Sequence, residues 1–123
     1  MASTILVIDD DPSLVNLLKE DLEAEGYSVL EGYDGQTALE LARSAQPQLI
    51  IMDVHMPGLD GPQVLEVLRS AEETRRIPVI FLTGESARSA DAELDAAQNV
   101  TRLEKPVDFD LFNQLVRRLI QPS

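Results

Sequence analysis

The sequence predicts an α/β fold: a five-stranded parallel sheet in the order 2-1-3-4-5, with helices on both faces. Two observations carry that expectation. Short continuous apolar runs alternate with helical patterns at short intervals, and such runs are the mark of strands buried on both faces. Four of the runs also end on a chemically distinctive pair or residue: Asp9-Asp10, Asp53, Thr83-Gly84 and Lys105-Pro106. Right-handed crossovers leave few topologies. In a doubly wound sheet of this order, ligands sit beyond the carboxyl ends of the strands, at the switch between strands 1 and 3.

The elements follow in order. Ile5–Ile8 reads as the first strand, and Pro12 starts a helix at a position where its missing N–H does no harm. Leu14, Leu17, Leu18 and Leu22 recur at helical spacing, and Gly26 closes the run. Tyr27–Leu30 is a short second strand. Asp34 can cap a helix carrying Ala38, Leu39, Leu41 and Ala42, which stops before Pro47. Leu49–Met52 is the third strand, and residues 56–61 form a loop by their Pro and Gly content. Val64, Leu65 and Leu68 mark a third helix, and Val79–Leu82 a fourth strand. Residues 86–97 are Ala-rich with a polar face and one large apolar anchor, Leu94. Val100–Leu103 is the fifth strand and Phe109–Ile120 the last helix.

Composition narrows the function. A chain of 123 residues suffices for a single domain with a working core, with no internal repeat. It has no cysteine, which excludes a disulfide framework or thiol chemistry. A formal charge of −12 and only two lysines, Lys19 and Lys105, argue against direct nucleic-acid or anionic-membrane binding. No signal-peptide pattern and no run near the ~20 apolar residues of a membrane helix is visible. The simplest expectation is a cytoplasmic protein.

The residues at the strand ends suit a divalent cation held beside a phosphoryl group. Carboxylates crowded to ~4 Å at an effective dielectric near 20 repel by ~4 kcal/mol per pair. Protonation, a lysine or a metal must relieve this. Mg²⁺ takes carboxylate, phosphate and water oxygens. Lys105 supplies a mobile positive charge, Thr83 a hydroxyl, and Gly84 room beside a free N–H. A carboxylate so placed can attack phosphorus and form an acyl phosphate. Other patterns fail. Asp9-Asp10-Asp11 lacks the Gly and the closing Glu of a calcium loop, and no Gly-rich phosphate loop exists. An aspartyl phosphohydrolase would carry a second Asp two residues after its nucleophile, where His55 stands.

With these motifs in place, the chain resembles a response-regulator receiver domain of two-component signalling, in the manner of the chemotaxis regulators, over essentially its whole length. Asp9-Asp10 resembles the acidic pair, Asp53 in Met52–Gly61 the phospho-acceptor and its loop, Thr83-Gly84 the switch hydroxyl and its small neighbour, and Lys105-Pro106 the paired lysine and proline. The resemblance implies a flavodoxin-like (βα)5 three-layer sandwich. It implies phosphorylation of Asp53 by a sensor histidine kinase or phosphotransfer protein, with small donors such as acetyl phosphate also serving. It implies no enzyme activity beyond this self-phosphorylation and dephosphorylation. Mg²⁺, replaceable by Mn²⁺, would be bound by Asp10, Asp53 and the backbone carbonyl of His55, with Asp9 acting through water. Thr83, Gly84 and Lys105 would sense the phosphoryl group, a cis Lys105–Pro106 bond would direct the ammonium, and His55 and Glu85 would tune hydrolysis.

Some positions depart from the family. Arg102 stands three residues before the paired lysine, where receivers usually carry Tyr or Phe, and Gln98-Asn99 replaces a common Gly-Ala. Either this is surface drift or the phosphorylation signal leaves by a route other than Thr83-to-aromatic coupling. On the last helix Phe112, Val116 and Leu119 suit the core, while Leu111 and Leu115 lie to one side. Those two leucines mark either a well-buried helix or an apolar contact with another protein or a second copy in a homodimer. A different class of function is a constitutive protein-interaction module in which phosphorylation no longer controls output. The downstream target is a separate protein partner or an output domain, according to whether the chain stands alone or belongs to a larger protein.

Overall fold

The computed structural model describes residues 3–84 and 99–120. The chain runs β1 (Thr4–Ile8), α1 (Pro12–Ala24), β2 (Ser28–Gly32), α2 (Gly35–Ala45), β3 (Leu49–Asp53), α3 (Gly61–Ser70), β4 (Val79–Thr83), β5 (Val100–Glu104) and α4 (Phe109–Ile120). All strand pairs are parallel, and the order is β2-β1-β3-β4-β5, as the alternation of apolar runs implies. The expected segment at 86–97, with Leu94, lies outside the described residues, as do Glu85, Gln98 and the tail 121–123.

Strand periodicity splits the core in two. Leu6, Ile8, Ile50, Met52, Val79 and Phe81 face α2 and α3, where they meet Ala38, Ala42, Val64, Leu65 and Leu68. The alternate residues Ile5, Val7, Leu49, Ile51, Ile80 and Leu82 face α1 and α4, against Val15, Leu18, Leu22, Phe112 and Val116. Every residue of β3 and β4 is buried. A strand enclosed on both faces has no polar side to alternate with, which is why its sequence is continuously apolar.

Helix starts are set by aspartates. Asp11 caps α1, accepting from the Ser13 N–H at 3.0 Å, and Asp34 caps α2 through the Thr37 N–H at 2.8 Å. Asp60 and Gln63 form a reciprocal capping box at the start of α3. Gly26, at φ 98°, follows α1 in the left-handed conformation that glycine adopts without a Cβ penalty.

Two details differ from the sequence expectation. Leu17 is exposed, because α1 buries the stripe Val15, Leu18 and Leu22, and a residue one step before Leu18 points about 100° away. The second strand begins at Ser28, not Tyr27. The Tyr27 N–H closes the turn after α1 by donating to Leu22 O, and Ser28 is the first whose N–H reaches β1's side, at Ser3 O.

α1 and α4 lie side by side. Asn113 Nδ2 donates to Asp21 Oδ1 at 3.4 Å, and Arg117 reaches Glu25 at 3.3 Å. Asp21 Oδ2 and Asn113 Oδ1 are the buried side-chain oxygens with no hydrogen-bond partner among the described residues. A half-satisfied polar pair is held less favourably than two apolar groups of similar shape. Asn113→Leu alone, which strips Asp21 of its donor, is expected to lower unfolding free energy by about 1–3 kcal/mol. Adding Asp21→Leu should recover that loss in urea denaturation.

Candidate functional site: an acidic cluster at the carboxyl edge of the sheet

The site is built from strand ends. Asp53 is the last residue of β3 and Thr83 the last of β4, both buried. Asp9 follows β1 and is buried, its N–H donating to Gly32 O at the end of β2. Because β1 and β3 are neighbours with Ile8 beside Met52, the residues one step further on, Asp9 and Asp53, meet at the same edge. Asp10 comes next and is exposed. Since Asp11 is the residue that caps α1, Asp10 keeps its carboxylate for the cluster. Carboxylate oxygens of Asp9, Asp10 and Asp53 all lie within 4.8 Å of one another.

Lys105 reaches into this cluster from beyond β5. Its Nζ lies 3.0 Å from Asp9 Oδ2 and 3.5 Å from Asp53 Oδ1. Its N–H donates to Thr83 O at 2.7 Å, which ties the lysine to the end of β4, and the Lys105–Pro106 peptide is cis. Asp9 Oδ1 accepts from the Asp11 N–H at 3.0 Å, so both its oxygens are engaged. Burial holds Asp9 above the ordinary carboxylate pKa of 3.8, aided by the charge of Asp53 and opposed by the Asp11 N–H and Lys105. For Lys105 burial works against the charge, but hydrogen bonds and attraction from Asp9 and Asp53 outweigh it and raise its pKa above 10.5.

Of the rest of the predicted set, Glu85 lies outside the described residues. Among the described residues nothing stands within 4 Å of where a Cβ on Gly84 would be. His55 is exposed and, with Met56, Pro57 and Asp60, lines an open cavity of about 320 Å³. Arg102 is not brought into the cluster: its guanidinium lies over the Phe81 ring, 5.5 Å from the centroid. Oxygen donors dominate, which suits a hard cation such as Mg²⁺. Asp10, exposed beside the two buried aspartates, leaves the cluster approachable from solvent.

Sequence reasoning missed Gly61, which it read only as part of a loop. A Cβ there would lie 2.8 Å from Phe81 Cε1 and 3.0 Å from both Asp53 O and Val54 Cα. Its N–H donates to Val54 O at 2.8 Å. A glycine between the Asp60 cap and Pro62 was the available signal, but only the fold shows what presses against it.

The family model of the response regulator receiver domain matches residues 5–117. The chain belongs to the response-regulator receiver family. This receiver is 39% identical over 122 residues to the response regulator PleD of Caulobacter vibrioides, covering 97% of this chain and 26% of PleD. It therefore spans about a quarter of PleD's length. It is 28% identical to the polar-differentiation response regulator DivK of Brucella ovis, over 95% of each chain. The solved structure of chemotaxis response regulator CheY4 of Vibrio cholerae superposes with a TM-score of 0.85 at 27% identity, covering 97% of this chain and 99% of that one. Among the described residues no helix is long and apolar enough to cross a membrane.

Three outcomes follow for the receiver. Asp9's raised pKa means that the folded state holds a proton more readily than the unfolded chain. Its contribution to stability then falls as pH rises from about 3.8 through the raised value. Asp9→Asn should flatten this decline, measured as Tm against pH in EDTA. Lys105 acts in the same direction at high pH, its stabilisation being present below 10.5 and lost as pH passes its raised value. Gly61→Ala, which forces a methyl against Phe81 and the Asp53–Val54 backbone, should destabilise the fold by about 1–3 kcal/mol in urea denaturation.

Proposed function

We propose that this receiver is a Mg²⁺-dependent phospho-aspartate switch with Asp53 as the acceptor. The observation that carries the reading is the convergence of three carboxylates and one ammonium at a single sheet edge, with a buried threonine on the strand next to the acceptor's. A carboxylate oxygen of Asp53 attacks phosphorus, the bond to the donor breaks, and the donor leaves with the electron pair as imidazole or acetate. An acyl phosphate remains on Asp53. Lys105, already within reach of Asp53, turns its ammonium from Asp9 toward the phosphoryl oxygens. Thr83 donates its hydroxyl to another of them, and Gly84 leaves room beside a third. Catalysis of this kind is positioning and charge neutralisation.

Asp10, Asp53 and the His55 carbonyl would hold Mg²⁺, with Asp9 acting through water, and Mn²⁺ would fit the same oxygens. Bound there, the cation neutralises charge on the phosphoryl group. His55, which is exposed, would influence water reaching the acyl phosphate, a role it would share with Glu85.

The donor is a sensor histidine kinase or phosphotransfer protein, and the output is altered binding to a downstream protein or attached domain. Phosphorylation shifts the population toward the binding-competent conformation. On α4, Leu111 is exposed while Leu115 packs partly against the core, so of the two leucines Leu111 offers the larger apolar surface to a second copy or partner. A second reading, a constitutive interaction module, is favoured by one observation. Arg102 is stacked on Phe81 where a mobile aromatic would be expected.

The test is intact mass after incubation with acetyl phosphate, with Mg²⁺ and with EDTA, beside Asp53→Asn. The switch predicts a Mg²⁺-dependent gain of one phosphoryl group that the variant lacks. A folded chain that gains none under either condition would favour the constitutive module.

A further inference from the structure

Arg102 belongs to a contact chain that ends at the acceptor. Strand register places Arg102 beside Phe81 on β4, and Phe81 in turn beside Met52, the residue before Asp53. The Arg102 guanidinium lies over the Phe81 ring at 5.5 Å from its centroid. The ring is buried, and Cε1 presses on Gly61 so closely that a Cβ there would stand 2.8 Å away. Gly61 packs against the Asp53 carbonyl and Val54 Cα, and its N–H holds Val54 O at 2.8 Å. Nothing but van der Waals contact and one hydrogen bond separates the β5 residue from the acceptor's own peptide group.

Each link has a physical reason to transmit displacement. A cation over an aromatic face is attracted by the ring's quadrupole, and arginine also stacks its plane on the ring. A buried ring in a densely packed interior cannot tilt without moving its neighbours. Gly61 has no side chain to absorb such a tilt, so the movement reaches the backbone at Asp53 and Val54. That backbone leads directly into His55. Arginine's long side chain can lie on the ring or turn away into solvent, which supplies the two arrangements that coupling requires.

We propose that Arg102 is a positioning residue for the phospho-acceptor, acting through the Phe81 ring and Gly61 on the peptide backbone of Asp53 and Val54. This deepens the reading of Asp53 as acceptor and rests on it. Stacked, the guanidinium holds the ring in the orientation that fits Gly61, and the acceptor backbone is held with it. Turned away, it leaves the ring free to tilt and the acceptor backbone less constrained. The coupling is reciprocal: a phosphoryl group on Asp53 biases Arg102, and a partner that engages Arg102 biases the acceptor.

The experiment compares the intact receiver with Arg102→Lys, Arg102→Met, Phe81→Leu and the Arg102→Met/Phe81→Leu pair. The readouts are the rate of acetyl-phosphate phosphorylation by intact mass and the Gly61 amide resonance in ¹H–¹⁵N spectra. Arg102→Met keeps length and apolar packing but removes the cation. It should slow phosphorylation about two- to five-fold, the range expected for one cation–π contact, and shift the Gly61 amide. Arg102→Lys should recover most of both effects. In the Phe81→Leu background Arg102→Met should add nothing. Unchanged rate and Gly61 amide in Arg102→Met overturn the proposal, as does an effect of equal size without the ring. If Phe81→Leu fails to fold, equal effects of Lys and Met at position 102 overturn it. A wild-type receiver that takes no phosphoryl group removes the acceptor reading itself. The Gly61 amide response to Arg102→Met still decides whether the contact chain exists.

Discussion

Electrostatic repulsion among Asp9, Asp10 and Asp53 is the constraint around which this receiver is organised. The sheet brings three carboxylates within 4.8 Å of one another, an arrangement that at ~4 Å opposes folding by ~4 kcal/mol for each fully charged pair at an effective dielectric near 20. The fold tolerates it because Lys105, following β5, lies against two of them. One ammonium cannot balance three acids. A hard divalent cation would carry the charge that offsets the remainder, and only then would the site suit an anionic phosphoryl group.

That arrangement depends on the remainder of the fold being stiff. The strand ends are fixed because β3 and β4 are buried along their full length and packed on both faces. Aspartate caps start α1, α2 and α3 at defined points, so the loops at the carboxyl edge begin and end in fixed places. The Lys105 N–H on Thr83 O ties the lysine's backbone to the strand carrying the hydroxyl. A carboxylate cluster on mobile loops would relax apart. Here the packing of two apolar layers keeps it together.

The Phe81 side of the sheet shows how the core and the site are joined. Phe81 is an ordinary core residue by burial, yet it touches the glycine packed against the Asp53–Val54 backbone and carries Arg102 on its face. The departure from the family at position 102 therefore falls on a residue with a physical connection to Asp53. It is distinct from the Lys105 and Thr83 side of the site, where the family's pattern is kept.

The sequence by itself determined the α/β class, the strand order and the identity of the acidic set, since continuous apolar strands and the residues that end them are local features. Asp9, Asp10, Asp53, Thr83 and Lys105 were legible for the same reason: each is placed by the end of its own strand. Pairing strands in register was then enough to bring them together. Contacts between side chains distant in sequence were decided only by the tertiary structure. Hydrophobicity alone did not reveal that Leu17 faces solvent, because a helix buries one stripe and its direction depends on what it packs against. The choice of Asp11 over Asp10 as helix cap needed backbone geometry. Gly61, Phe81 and Arg102 are far apart in sequence and chemically unremarkable there. Their relation arises from steric fit across three elements, and close packing leaves no periodic trace in a sequence.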